Sequence, residues 1–234
     1  MPSAFSEATA EVGSFEEAID WFRARFPVTE ELLAALGEYA GERAWTIAAV
    51  TSLEAVREVH QLLAESIELS RPLRETVDLL QERLSAYGFA GHRLETIALT
   101  NTASAYNAGR YRQLSDPILI SARPWRQFDG IEDSRQSDTC QERNEVTLHA
   151  NDPWWLTNWP PLHHRCRSQV RSLSAREVEG LEISQLQVPH GIATPSEGFG
   201  LTPDIALAWR PDLHRYPPDL RDVYLSHAQA AEAP

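Results

Sequence analysis

The chain has 234 residues, 42% of them hydrophobic, and a formal net charge of −13; that is enough apolar material for a core without disulfide staples. All 21 basic residues are arginine, and the acidic balance argues against a protein that coats nucleic acid, since phosphate neutralisation supplies most non-specific affinity. No apolar run approaches the ~18 residues of a membrane span, and the N-terminal stretch lacks a basic region followed by an apolar one, so the sequence predicts synthesis in the cytoplasm and no membrane partner.

Residues 1–13 read as a flexible N-terminus and 14–115 as a helical domain. Ser14 and Glu17 have capping-box spacing, and Phe15, Ile19, Phe22 and Phe26 form a helical stripe that Pro27 stops. Thr29 opens a second helix with the apolar face Leu33, Leu36, Ala40, Ala44 and Ile47. Thr51 and Glu54 repeat the capping box before a third, with Val56, Val59, Leu63 and Ile67 facing inward. A fourth carries Leu73, Val77, Leu80, Leu84 and Tyr87 and meets Gly88 and Gly91. The fifth, from His92 to Asp116, is rich in Ala, Ser, Thr, Asn and Gly, which lets neighbours approach closely. Its polar Asn101, Tyr106, Asn107 and Arg110 either satisfy buried backbone groups or, for Arg110, anchor an acidic partner.

After Asp116-Pro117 the texture changes, and residues 116–179 read as a small β-containing module. Residues 118–130 alternate bulky and polar positions like an extended segment, and 144–150 read as a second strand. Loops dominate from residue 129. Residues 180–234, with scattered Pro and Gly and little periodicity, read as an extended arm that orders against a neighbour. The predicted fold class is α+β, mainly α: a helical bundle, an irregular Trp/Pro/Cys/His module and a C-terminal arm.

Chemistry concentrates in that module. Cys140, His149, His163 (or His164) and Cys166 supply two thiols and two imidazoles, spaced C-x8-H-x13-H-x2-C, a candidate structural zinc set. The alternative is two buried small hydrophobes beside backbone-bonded histidines. No G-x-S-x-G, H-E-x-x-H or Gly-rich phosphate loop is present, so no catalytic residue, firm cofactor or small-molecule substrate is assigned and the chain is not read as an enzyme. Trp154, Trp155 and Trp159 beside Pro160-Pro161 suit either a core or an interface anchor; they are expected to be mainly core, with part of the cluster facing a partner.

Several stretches taken together resemble the phage Mu F-like family of head morphogenesis proteins, also called minor head or minor capsid proteins. They are "FEEAIDWFRARFPVTEE", "ETIALTNTASAYNAGRYRQLSDP", "DGIEDSRQSDTC", "NDPWWLTNWPPLHHRCRSQVRSLS" and "GFGLTPDIALAWRPDLHRYP", in the family's order over roughly residues 15–218. Two departures stand out. The family's C-x-C is Cys166-Arg167-Ser168 here, one candidate ligand short, and Glu145 stands where the family commonly has glycine.

The resemblance implies a virion component, assembled in the bacterial cytoplasm and placed inside the capsid or near the portal. Its implied partners are the portal protein and the major capsid protein, with packaged double-stranded DNA nearby but not the main contact, and its implied role is in head assembly and genome packaging or ejection. The competing expectations are a metal-dependent DNA-processing or effector enzyme built on the Cys/His cluster, and a host-encoded component of a prophage-derived particle.

Overall fold

Helix α1, Glu16–Arg23, begins with Glu16 and Glu17 at the positive end of its dipole and ends on Arg23. Its Ala18, Ile19, Trp21 and Phe22 are buried. This is one element of the computed structural model, which describes residues 16–28, 44–45, 53–85, 91–196 and 198–203 with Pro218, Asp222 and Leu225. The capping residue Ser14, most of the second predicted helix, and Tyr87 and Gly88 lie outside the described residues. Phe26 and Ala44, placed on helical faces by their spacing, instead belong to two short parallel strands, β1 (Phe26–Pro27) and β2 (Ala44–Trp45). Pro27 cannot donate the amide a helix would need, and the chain turns to extended pairing there.

Helices α2 (Leu53–Glu68) and α3 (Leu73–Leu84) follow the sequence period. Val56, Val59, Leu63, Ile67, Leu80 and Leu84 are buried in one cluster with Ala18, Ile19 and Phe22 of α1. Leu73, assigned to the same inward face, is exposed at the first turn of α3. His60 is buried among these side chains: its Nε2 lies 3.0 Å from the Phe22 carbonyl and its ring stacks on Phe22 at 4.7 Å. Helix α4, His92–Leu114, runs against α1, α2 and α3. Its small side chains Ala98, Ala105 and Ala108 are what allow that many neighbours to come close.

Asp116 ends this run and starts the next. Its Oδ1 accepts the N–H groups of Ile118 and Leu119, and Pro117 fits the first helical position, so Pro117–Ala122 forms helix α5. The extended reading of 118–130 is therefore right only for its second half, strand β3 (Trp125–Asp129); the cap outweighs the strand propensity of Ile118 and Ile120. Strand β4 (Thr147–His149) falls within the predicted segment. Strand β5 (Gln169–Leu173) was not expected; it pairs antiparallel with β3, giving the order β4-β3-β5.

One face of this sheet is apolar. Phe128 and Val170 are fully buried, with Leu148, Val146, Leu162, Trp155, Trp159 and both cysteines. On the opposite face Gln127 lies between its cross-strand partners: its Nε2 donates to Thr147 Oγ1 at 2.8 Å and its Oε1 accepts from Arg171. Three short elements complete the module: helix α6 (Asp138–Gln141), a 3-10 turn at Pro153–Thr157, and helix α7 (Ala175–Val178) with a Ser174/Glu177 capping box. The class is α+β, mainly α. No helix among the described residues is long and apolar enough to cross a membrane.

Between residues 193 and 202 the arm returns over its own module. The Trp159 N–H donates to the Gly200 carbonyl, Gly200 N–H to Pro161, Ser196 N–H to Leu162 and Thr202 N–H to Leu156. Gly200 has φ +86°, and an added Cβ would meet the Pro195 ring and the Thr157 carbonyl within 3 Å, so a side chain does not fit here. Arg143, only 1% exposed, clamps the layers together. Its Nε donates to Asn158 Oδ1, its NH1 group to the Thr139 carbonyl and its NH2 group to the Ala193 carbonyl, at 2.7–2.8 Å.

Candidate metal centre

The Ser137 hydroxyl accepts the Cys140 N–H at 3.3 Å and so starts α6, which holds Cys140 in the first turn with its sulfur inward. The opposing side comes from the loop after Pro160-Pro161. There the Cys166 N–H donates to the His163 carbonyl, and Arg165 takes a left-handed φ of +60° to complete the turn. Both cysteines are 2% exposed; His163 is half-buried. The two sulfurs lie 3.6 Å apart as free thiols, and Cys140 Sγ is 3.2 Å from His163 Nε2. All three donor atoms fall within 4.8 Å of one another.

His163 Nδ1 lies 2.7 Å from the His164 carbonyl, an oxygen that can only accept. A ring proton is thereby assigned to Nδ1, and Nε2 is the nitrogen turned to Cys140 Sγ and to Ser137 Oγ, the latter at 2.7 Å, as outer hydrogen bonds commonly orient a ligating imidazole. Hydrogen bonding from Cys166, then from His163, Ser137 and Ser168, holds the Cys140 thiol well below its usual range. Cys166 is pushed upward, first by its hydrogen bond with Cys140 and then by burial. His163 is raised chiefly by the Cys140 contact.

His149 is not in this group. It is exposed at the end of β4, where its Nδ1 accepts the Asn151 N–H and its ring lies edge-on to Trp125. A four-ligand set containing it does not form, because β4 directs that side chain away from α6. His164 is also outside, exposed and edge-on to Phe199.

The tryptophans are mainly core, as their composition suggested, with Trp154 the most exposed of the three. Trp155 and Trp159 are each 1% exposed; Trp154 is half-buried, edge-on to Trp155. Trp155 Nε1 donates to the His149 carbonyl and Trp159 Nε1 to the Asn107 carbonyl, both at 3.1 Å. Arg110 is likewise engaged within the chain, its Nε donating to the Val170 carbonyl, while Asn107 Nδ2 donates to the Ser168 carbonyl. The polar face of α4 therefore seats the module, satisfying the buried backbone of β5 and of the loop before it. Arg143, invisible in a polar run of sequence, holds the other end.

A helical bundle whose longest helix seats a three-stranded module with a Cys/His centre is the class of architecture present. Residues 57–171, just under half of the chain, match the family model described as "Phage Mu protein F like protein", and over that span the chain is similar to the Mu F-like family. It is 27% identical over 191 residues to "Putative capsid assembly protein F" of Escherichia phage Mu, covering 72% of this chain and 43% of that protein. It is 29% identical over 164 residues to "Mu-like prophage FluMu F protein" of Haemophilus influenzae, covering 63% of this chain and 39% of that protein. The chain thus spans about two fifths of these curated relatives. No solved structure matches it.

Proposed function

We propose that this chain is a minor head protein of a tailed phage or prophage, acting in head morphogenesis by docking on the portal and inner capsid surface. The observation that carries the reading is the family match across residues 57–171. That span runs from α2 through the Cys/His centre into β5 and so takes in three of the bundle's helices and most of the module. One relative over the wider alignment is named for capsid assembly. The net charge of −13 favours protein partners over packaged DNA. Effects on genome packaging or ejection follow from a position at the portal, and no catalytic step is assigned.

With Trp155 and Trp159 buried, docking contacts fall to side chains exposed on the same module. Ile118, 81% exposed on α5, and Leu156, 46% exposed beside the tryptophans, are candidates. The test is composition of purified particles by quantitative mass spectrometry. The polypeptide should be present at far fewer copies than the major capsid protein, and Ile118→Asp should lower its incorporation while its circular dichroism is unchanged. Particles that lack the polypeptide, or that assemble normally after its gene is deleted, would overturn the reading.

A further inference from the structure

The thiol–imidazole cluster goes beyond that role and does not depend on it. We propose that Cys140 Sγ, Cys166 Sγ and His163 Nε2 bind one Zn2+ ion, with an oxygen from solvent completing the tetrahedron.

Distance is the first argument. Tetrahedral zinc with Zn–S of about 2.3 Å and Zn–N of about 2.0–2.1 Å puts two sulfurs ~3.8 Å apart and sulfur and nitrogen ~3.6 Å apart. The separations here, 3.6 Å between sulfurs and 3.2 Å from Cys140 Sγ to His163 Nε2, differ from those by a few tenths of an ångström. A disulfide, by contrast, needs sulfurs at about 2.05 Å and has no use for an imidazole in contact with one of them.

Donor chemistry agrees. Two thiolates neutralise the dication, so the metal can sit where both sulfurs are 98% buried without leaving net charge in the core. The imidazole is already turned, its Nδ1 held by the His164 carbonyl. Two small polar side chains also belong to the site, which otherwise adjoins the apolar cluster. Ser137 Oγ lies 2.7 Å from His163 Nε2, and the buried Ser168 follows Cys166 by two residues. These hydroxyls flank the fourth position and can hold a bound water. His163 is half-buried and so is the most solvent-accessible of the three ligands.

The consequence is structural. The three ligands join α6 to the 163–166 turn. That turn is seated on α4 through the Arg165 N–H on Thr100 Oγ1, and Ser168 just beyond it through Asn107. Zinc would therefore fix the segment that docks the module on the bundle.

The experiment uses the full chain. Metal analysis should find one zinc per polypeptide, and Co2+ replacement should give the intense visible bands of a tetrahedral site with a thiolate charge-transfer band. His149→Ala should retain the metal; Cys140→Ser, Cys166→Ser and His163→Ala should lose it. Because those variants could fail by unfolding, Ser168→Cys gives the opposite readout. It adds a third thiolate beside the open position, so zinc should be held more tightly against a chelator and the charge-transfer intensity should rise by about half, as two thiolates become three. The proposal is overturned if the folded chain takes up no zinc, if Ser168→Cys leaves affinity and spectrum unchanged, or if peptide mapping finds a Cys140–Cys166 disulfide in freshly purified protein. None of these outcomes touches the reading as a head protein, which particle composition decides separately.

Discussion

Trp159→Ala is the sharpest test of how bundle and module are joined. The indole is 1% exposed, and truncating a buried Trp to Ala costs about 3–5 kcal/mol. Three contacts place this site in the upper part of that range. Tyr111 and Trp155 meet the ring edge-on at 4.9 and 6.1 Å, and the Arg126 guanidinium lies 5.3 Å from its centroid. Such aromatic pairs add about 0.5–1.5 kcal/mol beyond burial. The lost hydrogen bond matters less, because the Asn107 carbonyl lies inside α4 and has its own helical donor. We expect a loss of about 4–5 kcal/mol for Trp159→Ala and about 1–2 kcal/mol for Trp159→Phe, which keeps most of the volume but not the hydrogen bond. Urea unfolding followed in parallel by far-ultraviolet circular dichroism, reporting the helices, and by tryptophan fluorescence, to which the module supplies four of the seven indoles, measures both. The two midpoints should fall together. A loss below about 1.5 kcal/mol, or a shift confined to fluorescence, would refute the assignment of this ring as the joint.

Three further perturbations follow from single residues. Arg143→Met leaves Asn158 Oδ1 and the carbonyls of Thr139 and Ala193 without their donor; at about 1–3 kcal/mol for each orphaned acceptor, it should destabilise by roughly 3 kcal/mol or more in urea melts, with Arg143→Lys recovering only part. Glu145 holds φ +64°, so Glu145→Gly should raise stability by up to ~1 kcal/mol, less what its side chain gains from Gln185; a net loss would mean that the Gln185 contact outweighs the backbone. The Glu177 carboxyl is held at about 2, against an ordinary 4.5, first by the Ser174 hydroxyl, then by the Ser174 N–H and by Arg123. A depressed carboxylate contributes stability above its unfolded value and loses it as pH falls toward the folded one, so the Ser174 cap should open only between about 4.5 and 2. An NMR titration of Glu177 reads this directly, and Ser174→Ala should move the midpoint up.

What the sequence made legible was local. Helices α2 and α3 were readable because each buries one stripe, and α4 because its small residues could only serve close packing. What it hid depends on contacts made at a distance. In β5 only Val170 and Leu173 are buried, and the intervening Arg171 reads as solvent-facing until Gln127 is seen opposite it. Helix α5 was obscured because Ile118 and Ile120 favour strands, while the deciding group was one carboxylate oxygen on Asp116. At the centre, residue types named the chemistry but not the membership. His149 and His163 are equivalent in sequence, and only the antiparallel turn of β4 sends one outward while the Pro160-Pro161 loop sends the other in.

The same distinction explains why composition alone could not divide the tryptophans between core and partner contacts. A cluster of large aromatics beside prolines satisfies the composition of an interface hot spot, yet that composition also suits a small module with few regular elements and a long irregular segment to anchor. Here each buried indole donates to a carbonyl of another element, Trp155 to the end of β4 and Trp159 to α4. Those carbonyls lie inside the chain, so both indoles are spent on the fold. On the proposed docking role, a partner is read by residues that remain exposed, and the aromatic knot acts on that docking only by holding them in place.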